Sequence, residues 1–317
     1  MHQNIHGVFK AYATQVDVID LSVLLKSYVA HHLNVRRQKR TRIWSPTTLG
    51  VELTYSCPGR CNGCYIPRSR KEDQSVIDAD LLREIVRQAK SIGVNFIGLI
   101  GGEPLQESTL PLIKDVASEN PTTAFHIYTS GGYIRQNGIY RLRRLHNIFY
   151  YLSVDGLSEK DDQIRGEGSF LNASDSFKIL LQDKKFYCAS VTVRPQNFED
   201  VTDPLFLDFL AKSGVKVVNF MKYKSGNGSG LPHERFEEAR TKISSFADNY
   251  PIFVLFGGNG KGHAESSEFQ YSSFFIGPCG DVRLHKTSIE DTIGNVSNKT
   301  LAEMAREVKP EMLIDMS

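Results

Sequence analysis

The stretch that decides the fold and the chemistry of this chain is CPGRCNGC at residues 57–64, followed directly by Tyr65. It places the thiols of Cys57, Cys61 and Cys64 in one short loop. Iron–sulfur clusters are normally held by four Cys thiolates, so a loop with three leaves one iron of a [4Fe–4S] cluster open to an exchangeable ligand. A structural zinc site is the alternative, but such sites use four ligands, and the loop has no His and no fourth Cys.

A second motif, Gly101-Gly102-Glu103-Pro104, follows an apolar run. Glycines let a backbone approach a ligand closely, and the carboxylate of Glu103 is able to accept a charge-assisted hydrogen bond from an ammonium group. Taken alone, the motif is more typical of a strand-to-helix turn with Pro104 in the first helical turn. Together with the cysteine loop it indicates a ligand site.

The two motifs resemble the signature of the radical S-adenosylmethionine (SAM) superfamily, which has C-x3-C-x2-C spacing and an aromatic residue after the last Cys. The resemblance implies that Cys57, Cys61 and Cys64 hold one [4Fe–4S] cluster and that SAM occupies the open iron. It places Tyr65 beside these cofactors and the segment 101–104 at the SAM amino group. It also implies reductive cleavage of SAM to a 5′-deoxyadenosyl radical, which abstracts hydrogen from an unactivated substrate carbon.

Further residues extend the predicted cofactor site. The stretch YLSVDG at residues 151–156, with RGEGSF at 165–170, resembles a peptide-modifying branch of the family. That resemblance implies that Ser153 lies near the SAM ribose and Arg165 near the SAM carboxylate, with Asp155 in the same stretch. Ser130 and Arg194 follow the third and fifth predicted strands and are further candidates for cofactor binding. By position alone, Arg165 is equally suited to the surface.

Alternating apolar runs and amphipathic segments predict an α/β fold. Strands are predicted at 49–54, 94–100, 124–129, 148–154, 186–193 and 215–221, and helices at 79–91, 110–118, 136–145, 173–182, 201–212 and 232–249. The alternation fits a doubly wound sheet or a barrel equally well. The resemblance implies a partial (βα)6 barrel, open on one side, with both motifs at the C-terminal ends of strands, where barrels gather their chemistry.

We expect three domains: an N-terminal cap at 1–48 with a short helical segment between Val16 and Leu25, the barrel at 49–256, and an extension at 257–317. The basic run at 36–42 is expected to be a solvated connector. The extension resembles the SPASM or twitch domain, a hairpin with a closing helix. It has only Cys279, and His285 stands where that domain usually has Cys, so no auxiliary cluster is expected.

The missing auxiliary cluster favours a redox-neutral reaction, with epimerisation as the preferred outcome. Cys279 is our candidate for the catalytic hydrogen-atom donor, because a thiol is a good hydrogen-atom source. Cys188, at the start of a predicted strand, is the weaker candidate. Dehydrogenation, C–C or C–S bond formation and adenosylation of a peptide remain alternatives. A noncatalytic iron–sulfur electron carrier or scaffold is the alternative from another class.

Composition places the chain among globular proteins, with 317 residues, 40% hydrophobic residues and a net charge of +2. The balanced charge gives no reason to expect nucleic acid, and no apolar run is long enough for a membrane span. We expect a cytoplasmic enzyme that receives electrons from a reductase such as flavodoxin or ferredoxin. The short segment before the first strand favours a small polar metabolite, such as an aminoglycoside-type sugar, or a free-standing peptide as substrate.

Overall fold

A ten-stranded sheet forms the centre of the molecule in the computed structural model, which describes residues 18–41, 44–66, 74–224, 230–257, 273–284 and 292–309. The strands lie side by side in the order β10-β9-β8-β1-β2-β3-β4-β5-β6-β7. They are β1 (Thr48–Glu52), β2 (Phe96–Ile100), β3 (Ala124–Thr129), β4 (Ile148–Ser153), β5 (Tyr187–Val193), β6 (Val217–Lys222), β7 (Phe253–Gly257), β8 (Ser273–Ile276), β9 (Asp281–Arg283) and β10 (Thr292–Asn295).

Helices connect the strands in the βα pattern that the sequence predicts. They are α1 (Val18–Thr41), α2 (Ala79–Ser91), α3 (Leu110–Glu119), α4 (Gly132–Asn137), α5 (Ser158–Arg165), α6 (Ser169–Gln182), α7 (Phe198–Val201), α8 (Pro204–Lys212), α9 (His233–Ala247) and α10 (Leu301–Glu307). A 3₁₀ turn, Pro195–Asn197, precedes α7. Among the described residues, no helix combines the length and the apolar character needed to cross a bilayer.

The α/β fold class is confirmed, with β1 to β7 mutually parallel in sequence order. The extension is not a separate sheet, because β8 pairs in parallel with β1, and Val51 lies opposite Ile276. Strands β9 and β10 continue this side of the sheet in antiparallel pairing. Within the described strands, β7 and β10 are the edges, so this part of the sheet is open. The three-domain division remains a prediction.

Local sequence signals explain where α2 begins and ends. The side chain of Asp78 accepts hydrogen bonds from the backbone N–H groups of Asp80 and Leu81, at 2.9 and 3.0 Å, and so caps the first turn. The helix ends just before Gly93, which has a left-handed φ of 83°. Its buried positions Leu82, Ile85, Val86 and Ala89 recur at helical spacing on the face toward the sheet. The predicted helix at 79–91 is therefore confirmed.

The helix predicted at 136–145 is wrong. The structure has the short helix α4 instead, which ends before Gly138, where φ is +66° and an L side chain is disfavoured. Residues 139–144 form bends and turns, and Ile139 and Leu142 are buried there at a spacing that imitates a helix. The sequence patterns did not predict α5, because this helix is polar and lacks apolar periodicity.

The sheet has an outer face that packs against helices and an inner face that is partly filled by α1. Fully buried outer residues include Val51, Leu99, Ile127, Val191 and Phe220. Toward the N-terminal ends of the strands, Val23 of α1 packs in one cluster with Phe149, Phe186, Cys188 and Val217. The segment expected as a short cap is therefore a 24-residue helix that fills the lower part of the inner face. Val16 lies outside the described residues.

The basic run is not the connector that we expected, because it continues α1 to Thr41. Arg36, Arg37 and Arg40 lie on this helix and are exposed, so the expected solvation is correct while the expected conformation is wrong. Arg42 lies outside the described residues.

A buried polar cluster anchors α1 beneath the sheet. The fully buried carboxylate of Asp20 lies 2.7 Å from Nδ1 of His146 and 3.4 Å from Nζ of Lys185. Lys185 also donates to the carbonyl oxygen of Leu145 at 3.1 Å. Burial raises the pKa of Asp20, while Lys185 and His146 act against that rise. The cluster joins α1 to the loops that precede β4 and β5.

We expect Asp20→Ala to lower the free energy of unfolding by about 3–5 kcal/mol, because it leaves the Lys185 ammonium buried without its counter-charge. The measurement is the urea unfolding midpoint followed by circular dichroism. Asp80→Ala is the control, since Asp80 carries an ion pair with Arg83 but its side chain is 93% exposed. Equal midpoints for the two variants would show that the buried cluster does not anchor α1.

Candidate functional site

The cysteine loop lies beyond the C-terminal end of β1 and is tied to the loop after α5. The N–H of Asn62 donates to the carbonyl oxygen of Ile164 at 2.7 Å, and the Cys61 thiol lies 3.5 Å from the carbonyl oxygen of Arg165. The N–H of Gly59 points at the sulfur of Cys57 at 3.3 Å. Backbone donors directed at sulfur stabilise a thiolate, so this loop is suited to hold metal-bound cysteines.

Two of the three sulfurs lie beside the same glycine of the loop. A β-carbon built on Gly59 would lie 3.4 Å from the sulfur of Cys57 and 3.7 Å from that of Cys61, so both sulfurs flank this glycine. Cys64, like the other two, is half-buried. In the described part of the chain, no three His, Cys, Asp or Glu side chains converge on a point that one metal ion would occupy. The donor set of three thiols fits a cluster with an open iron.

The segment 101–104 pairs directly with the chain that enters the cysteine loop. The N–H of Gly102 donates to the carbonyl oxygen of Thr54 at 2.7 Å, and that of Glu103 donates to Ser56 at 2.9 Å. A β-carbon on Gly101 would overlap the Thr54 oxygen, and one on Gly102 would lie 2.5 Å from the carbonyl oxygen of Tyr55. Only glycine permits this approach, so the two sequence motifs form one backbone assembly.

The carboxylate of Glu103 is buried and hydrogen-bonded within the protein. It accepts from Thr129 Oγ at 2.6 Å, Leu105 N at 3.1 Å, Ser130 N at 2.9 Å and Ser130 Oγ at 2.6 Å. These four donors occupy the lone-pair positions of a carboxylate. Glu103 therefore ties the end of β2 to the end of β3, and the predicted contact with a SAM ammonium group would need a further acceptor. That contact remains a prediction.

Tyr65 and Pro104 lie on either side of this assembly, Tyr65 half-buried and Pro104 buried. The Tyr65 hydroxyl donates to the carbonyl oxygen of Gly101 at 3.3 Å. The pKa of Tyr65 is raised well above its ordinary value. Burial of the phenol is the larger cause and the nearby carboxylate of Glu52 is the second, so the phenol remains protonated. The carbonyl oxygen of Pro104 accepts from the Thr109 hydroxyl at 2.6 Å and fixes the turn before α3.

A fully buried ion pair joins the C-terminal hairpin to the start of the cysteine loop. Arg283 of β9 contacts the carboxylate of Glu52, the last residue of β1, and both side chains are completely buried. Glu52 lies beside Tyr65, which follows the third loop Cys. Arg283 was not among the residues predicted from the sequence. The only available signal was a lone cation between the buried apolar residues Val282 and Leu284.

Two arginines meet at Asp155 on the opposite side of the loop. Nη1 of Arg165 lies 3.0 Å from the Asp155 carboxylate, and Nη1 of Arg194 donates to the carbonyl oxygen of Asn62 at 2.8 Å. Burial disfavours the Arg165 cation, but Asp155 and the Cys61 sulfur outweigh it and raise the pKa of Arg165. Nε of each arginine is buried without a hydrogen-bond partner among the described residues. These two donors suit an anionic ligand such as a carboxylate.

Asn197 and Tyr223 complete this side of the site. The Asn197 amide donates to the carbonyl oxygens of Asp155 at 2.7 Å and Thr192 at 2.9 Å and so fixes the chain around Asp155. The ring of Tyr223 stacks under the Arg194 guanidinium at 4.3 Å and closes over Gly63. Asn197 was not predicted as a site residue, although an Asn two residues after a Pro at a strand end is a turn signal.

The remaining candidate residues lie apart from this assembly. Ser153 lies on the inner face of β4, opposite Ser190 of β5. Cys279 is exposed in the turn between β8 and β9, and the adjacent Gly280 faces Leu81 of α2. Cys188 is buried near the start of β5, and burial raises the pKa of its thiol to about 12. The two cysteines therefore lie at opposite ends of the parallel strands. His285 lies outside the described residues.

We expect Gly102→Ala to displace the cysteine loop while the sheet remains folded, because its β-carbon overlaps backbone oxygen atoms on both Tyr55 and Ser56. The measurement is iron and sulfide bound per chain after anaerobic reconstitution, with circular dichroism to confirm folding. The prediction is a loss of most bound iron. Gly132→Ala is the control, since a β-carbon there meets nothing closer than 3.5 Å. Full iron loading in Gly102→Ala would show that the backbone contact does not position the loop.

Comparison with known proteins finds a family model that matches the part of the chain containing the site. The family model described as the radical SAM superfamily matches residues 51–203. Fe-coproporphyrin III synthase of Methanosarcina barkeri is 24% identical over 75% of this chain and 59% of its own length. Mycofactocin maturase MftC of Mycolicibacterium smegmatis is 27% identical over 59% of this chain and 47% of its own length. The chain thus spans about half the length of these curated relatives.

Solved structures share the fold. Streptococcus suis SuiB bound to the precursor peptide SuiA superposes with a TM-score of 0.70 at 17% identity, covering 87% of this chain and 68% of that chain. The matched residues 51–203 contain the cysteine loop, the segment 101–104 and the two arginines described above. A [4Fe–4S] cluster and S-adenosylmethionine are accordingly the cofactors of this protein. Residues 51–203 thus form a radical SAM domain, and the fold of the chain resembles the SPASM or twitch branch of that superfamily.

Proposed function

We propose that this protein uses radical SAM chemistry to remove hydrogen from an unactivated C–H bond of a peptide or related natural product. The observation that supports the proposal most strongly is the backbone pairing between the cysteine loop and the segment 101–104. That pairing holds the start of the cysteine loop against the two glycines at the C-terminal edge of the sheet, and Arg194 contacts the same loop through the carbonyl oxygen of Asn62.

In this proposal Cys57, Cys61 and Cys64 hold three irons of the cluster. When bound, the reduced cluster and SAM supply a 5′-deoxyadenosyl radical for hydrogen abstraction. The Nε atoms of Arg165 and Arg194, which have no hydrogen-bond partner among the described residues, would bind the carboxylate of the nucleotide cofactor, and Asp155 orients both guanidinium groups. Tyr65 donates to the carbonyl oxygen of Gly101 and Glu52 is paired with Arg283, so these two side chains hold the end of β1 and the segment 101–104 beside the cysteine loop.

Three features support a peptide among the possible substrates. MftC is named as a maturase, SuiB has been solved with a precursor peptide, and SkfB of Bacillus subtilis, 24% identical over 50% of this chain, is named as a maturation protein. Those names describe the relatives, of which this chain spans only part. The small polar metabolite favoured by the length of the N-terminal segment is the alternative substrate class.

We expect cluster-loaded protein reduced with dithionite to convert SAM to 5′-deoxyadenosine and methionine, detected by liquid chromatography. Cys61→Ala removes one of three cluster ligands and is expected to abolish 5′-deoxyadenosine formation. Cys279→Ala is the matched control, because it removes an exposed thiol outside the loop and should leave SAM cleavage unchanged. Protein that binds a reducible cluster but neither binds nor cleaves SAM would support the noncatalytic electron carrier instead.

Epimerisation is the reaction outcome that we favour. Cys188 and Cys279 lie at opposite ends of the strands, so they are not arranged to share an auxiliary cluster that would accept a substrate electron. In the proposed reaction, the Cys279 S–H bond breaks and its hydrogen atom joins the substrate carbon radical on the opposite face. The resulting thiyl radical regains an electron from an external reductase and a proton from solvent. The turn that holds Cys279 must move toward the cysteine loop for this step.

The epimerisation proposal predicts that product formed in heavy water carries deuterium at the inverted carbon, because the thiol hydrogen exchanges with solvent. Cys279→Ala is expected to cleave SAM and to lose that solvent-derived deuterium. The measurement is mass spectrometry of the product after digestion or derivatisation. Undiminished deuterium incorporation in Cys279→Ala would show that this residue does not donate the hydrogen atom. An oxidised or cross-linked product would contradict epimerisation and support one of the alternative reactions.

We further infer a reductase partner, such as flavodoxin or ferredoxin, because the cluster needs one external electron for each SAM cleaved. A cytoplasmic location fits the need of an exposed cluster loop and two free thiols for a reducing compartment.

A further inference from the structure

A fully buried carboxyl group, that of Asp161, lies next to the two arginines of the candidate site and has no part in the function proposed above. Asp161 and Arg165 occupy positions i and i+4 of α5 and therefore lie on the same side of this helix. Oδ1 of Asp161 accepts a hydrogen bond from the N–H of Asp155 at 2.5 Å, which ties α5 to the end of β4. Oδ2 is buried and has no hydrogen-bond partner in the described part of the chain.

The surroundings of Asp161 oppose its ionisation. The residue is 0% exposed, and the nearby cation of Arg165 is paired with Asp155. Burial raises the pKa of Asp161 to about 7, and the carboxylates of Asp155 and Asp162 add to this rise. Arg165 and the hydrogen bond from the N–H of Asp155 act against the rise. Near neutral pH, Asp161 is therefore present in both its protonated and its ionised form.

The charge of Asp161 decides the net charge of the group to which it belongs. The Asp155 carboxylate lies 3.0 Å from Nη1 of Arg165 and 4.0 Å from Nε of Arg194, so two cations share one anion and leave one surplus positive charge. Protonated Asp161 preserves this surplus, whereas ionised Asp161 cancels it. The side chains of Arg165 and Arg194 are only 14% and 10% exposed, so water screens the difference weakly.

We propose that Asp161 sets the affinity of this protein for SAM. Its protonated form permits binding of the SAM carboxylate by Arg165 and Arg194, and its ionised form weakens that binding. Asp161 acts through the arginines rather than by contact with the ligand, so it is a positioning residue and not a catalytic one. The inference rests on the proposed function, because that proposal assigns the two arginines to the SAM carboxylate.

The test compares wild type with Asp161→Asn, as full-length, cluster-loaded protein without a reductant, so that SAM remains intact. The Asn side chain has nearly the same shape and its oxygen can still accept from the N–H of Asp155, but it does not ionise. The dissociation constant of SAM is measured by isothermal titration calorimetry at about pH 6 and about pH 8, on either side of the pKa of Asp161. We expect the ratio of the wild-type constant to the variant constant to rise about fivefold between these two pH values.

A ratio is used because groups that titrate in SAM itself affect both proteins equally and cancel. Glu159→Gln is the matched control, since it removes an exposed carboxylate from the same helix, and its ratio to wild type should not change with pH. If the ratio for Asp161→Asn is the same at both pH values, Asp161 only holds α5 to β4 and the proposal is overturned. A ratio that falls with rising pH would overturn it as well.

Proton uptake provides a second readout, which a purely structural role would not affect. Titration at the higher pH in two buffers of different ionisation enthalpy gives the number of protons taken up per SAM bound. Wild type is expected to take up more protons than Asp161→Asn, because SAM binding favours the protonated form of Asp161. Equal uptake by the two proteins would contradict the proposal.

A measurement on wild type alone serves if Asp161→Asn does not fold. Infrared difference spectra, recorded when SAM is added at the higher pH, are expected to show an increase in the carbonyl band of a protonated carboxyl group. No increase in this band would overturn the proposal.

The failure of this inference is distinguishable from the failure of the proposed function. Formation of 5′-deoxyadenosine by wild-type protein is measured on the same preparations after reduction. If wild type binds and cleaves SAM while the ratio of dissociation constants is independent of pH, the radical SAM function stands and the role assigned to Asp161 is wrong. If wild type neither binds nor cleaves SAM, the proposed function fails and this inference fails with it.

Discussion

The site depends on the close contact between two backbone segments that have no room for side chains. Gly102 donates to the chain that leads from β1 into the cysteine loop, and a β-carbon on Gly101 or Gly102 would overlap a carbonyl oxygen of that chain. This contact fixes where the loop begins relative to the end of β2. Because the three cysteines follow within a few residues, the position of every thiol is set by the packing of backbone on backbone.

Buried charges then hold the edges of that contact in place. On one side, Glu52 is paired with Arg283, which ties the C-terminal hairpin to β1. On the other side, Asp155 is paired with Arg165, whose carbonyl oxygen contacts the Cys61 thiol. Ion pairs removed from water contribute little net stability, but losing one partner leaves a costly isolated charge. These pairs therefore favour a single arrangement of the loop, which a cluster with three protein ligands requires.

Much of this site was predictable from the sequence because its determinants are local. Spacing predicted the cysteine loop. Helical and strand patterns predicted α2 and β3 at their observed bounds. The function of Glu103 was harder to predict, because three of its four donors come from Thr129 and Ser130 at the end of β3 and only one, the N–H of Leu105, is local. Arg283 lies 231 positions from Glu52, and nothing in either segment identifies its partner. Which side chains lie side by side on the inner face depends on strand register, which the order of strands in the chain does not specify.

The central claim is that the three cysteines of this loop bind three irons of a four-iron cluster. Its most direct test is Mössbauer spectroscopy of iron-57-loaded protein, recorded with and without SAM. We expect four irons per chain and a change at one of the four sites when SAM is added, because only the iron without a Cys ligand is open to it. Four equivalent irons that do not respond to SAM would contradict this claim, and so would protein that holds one zinc ion in place of iron.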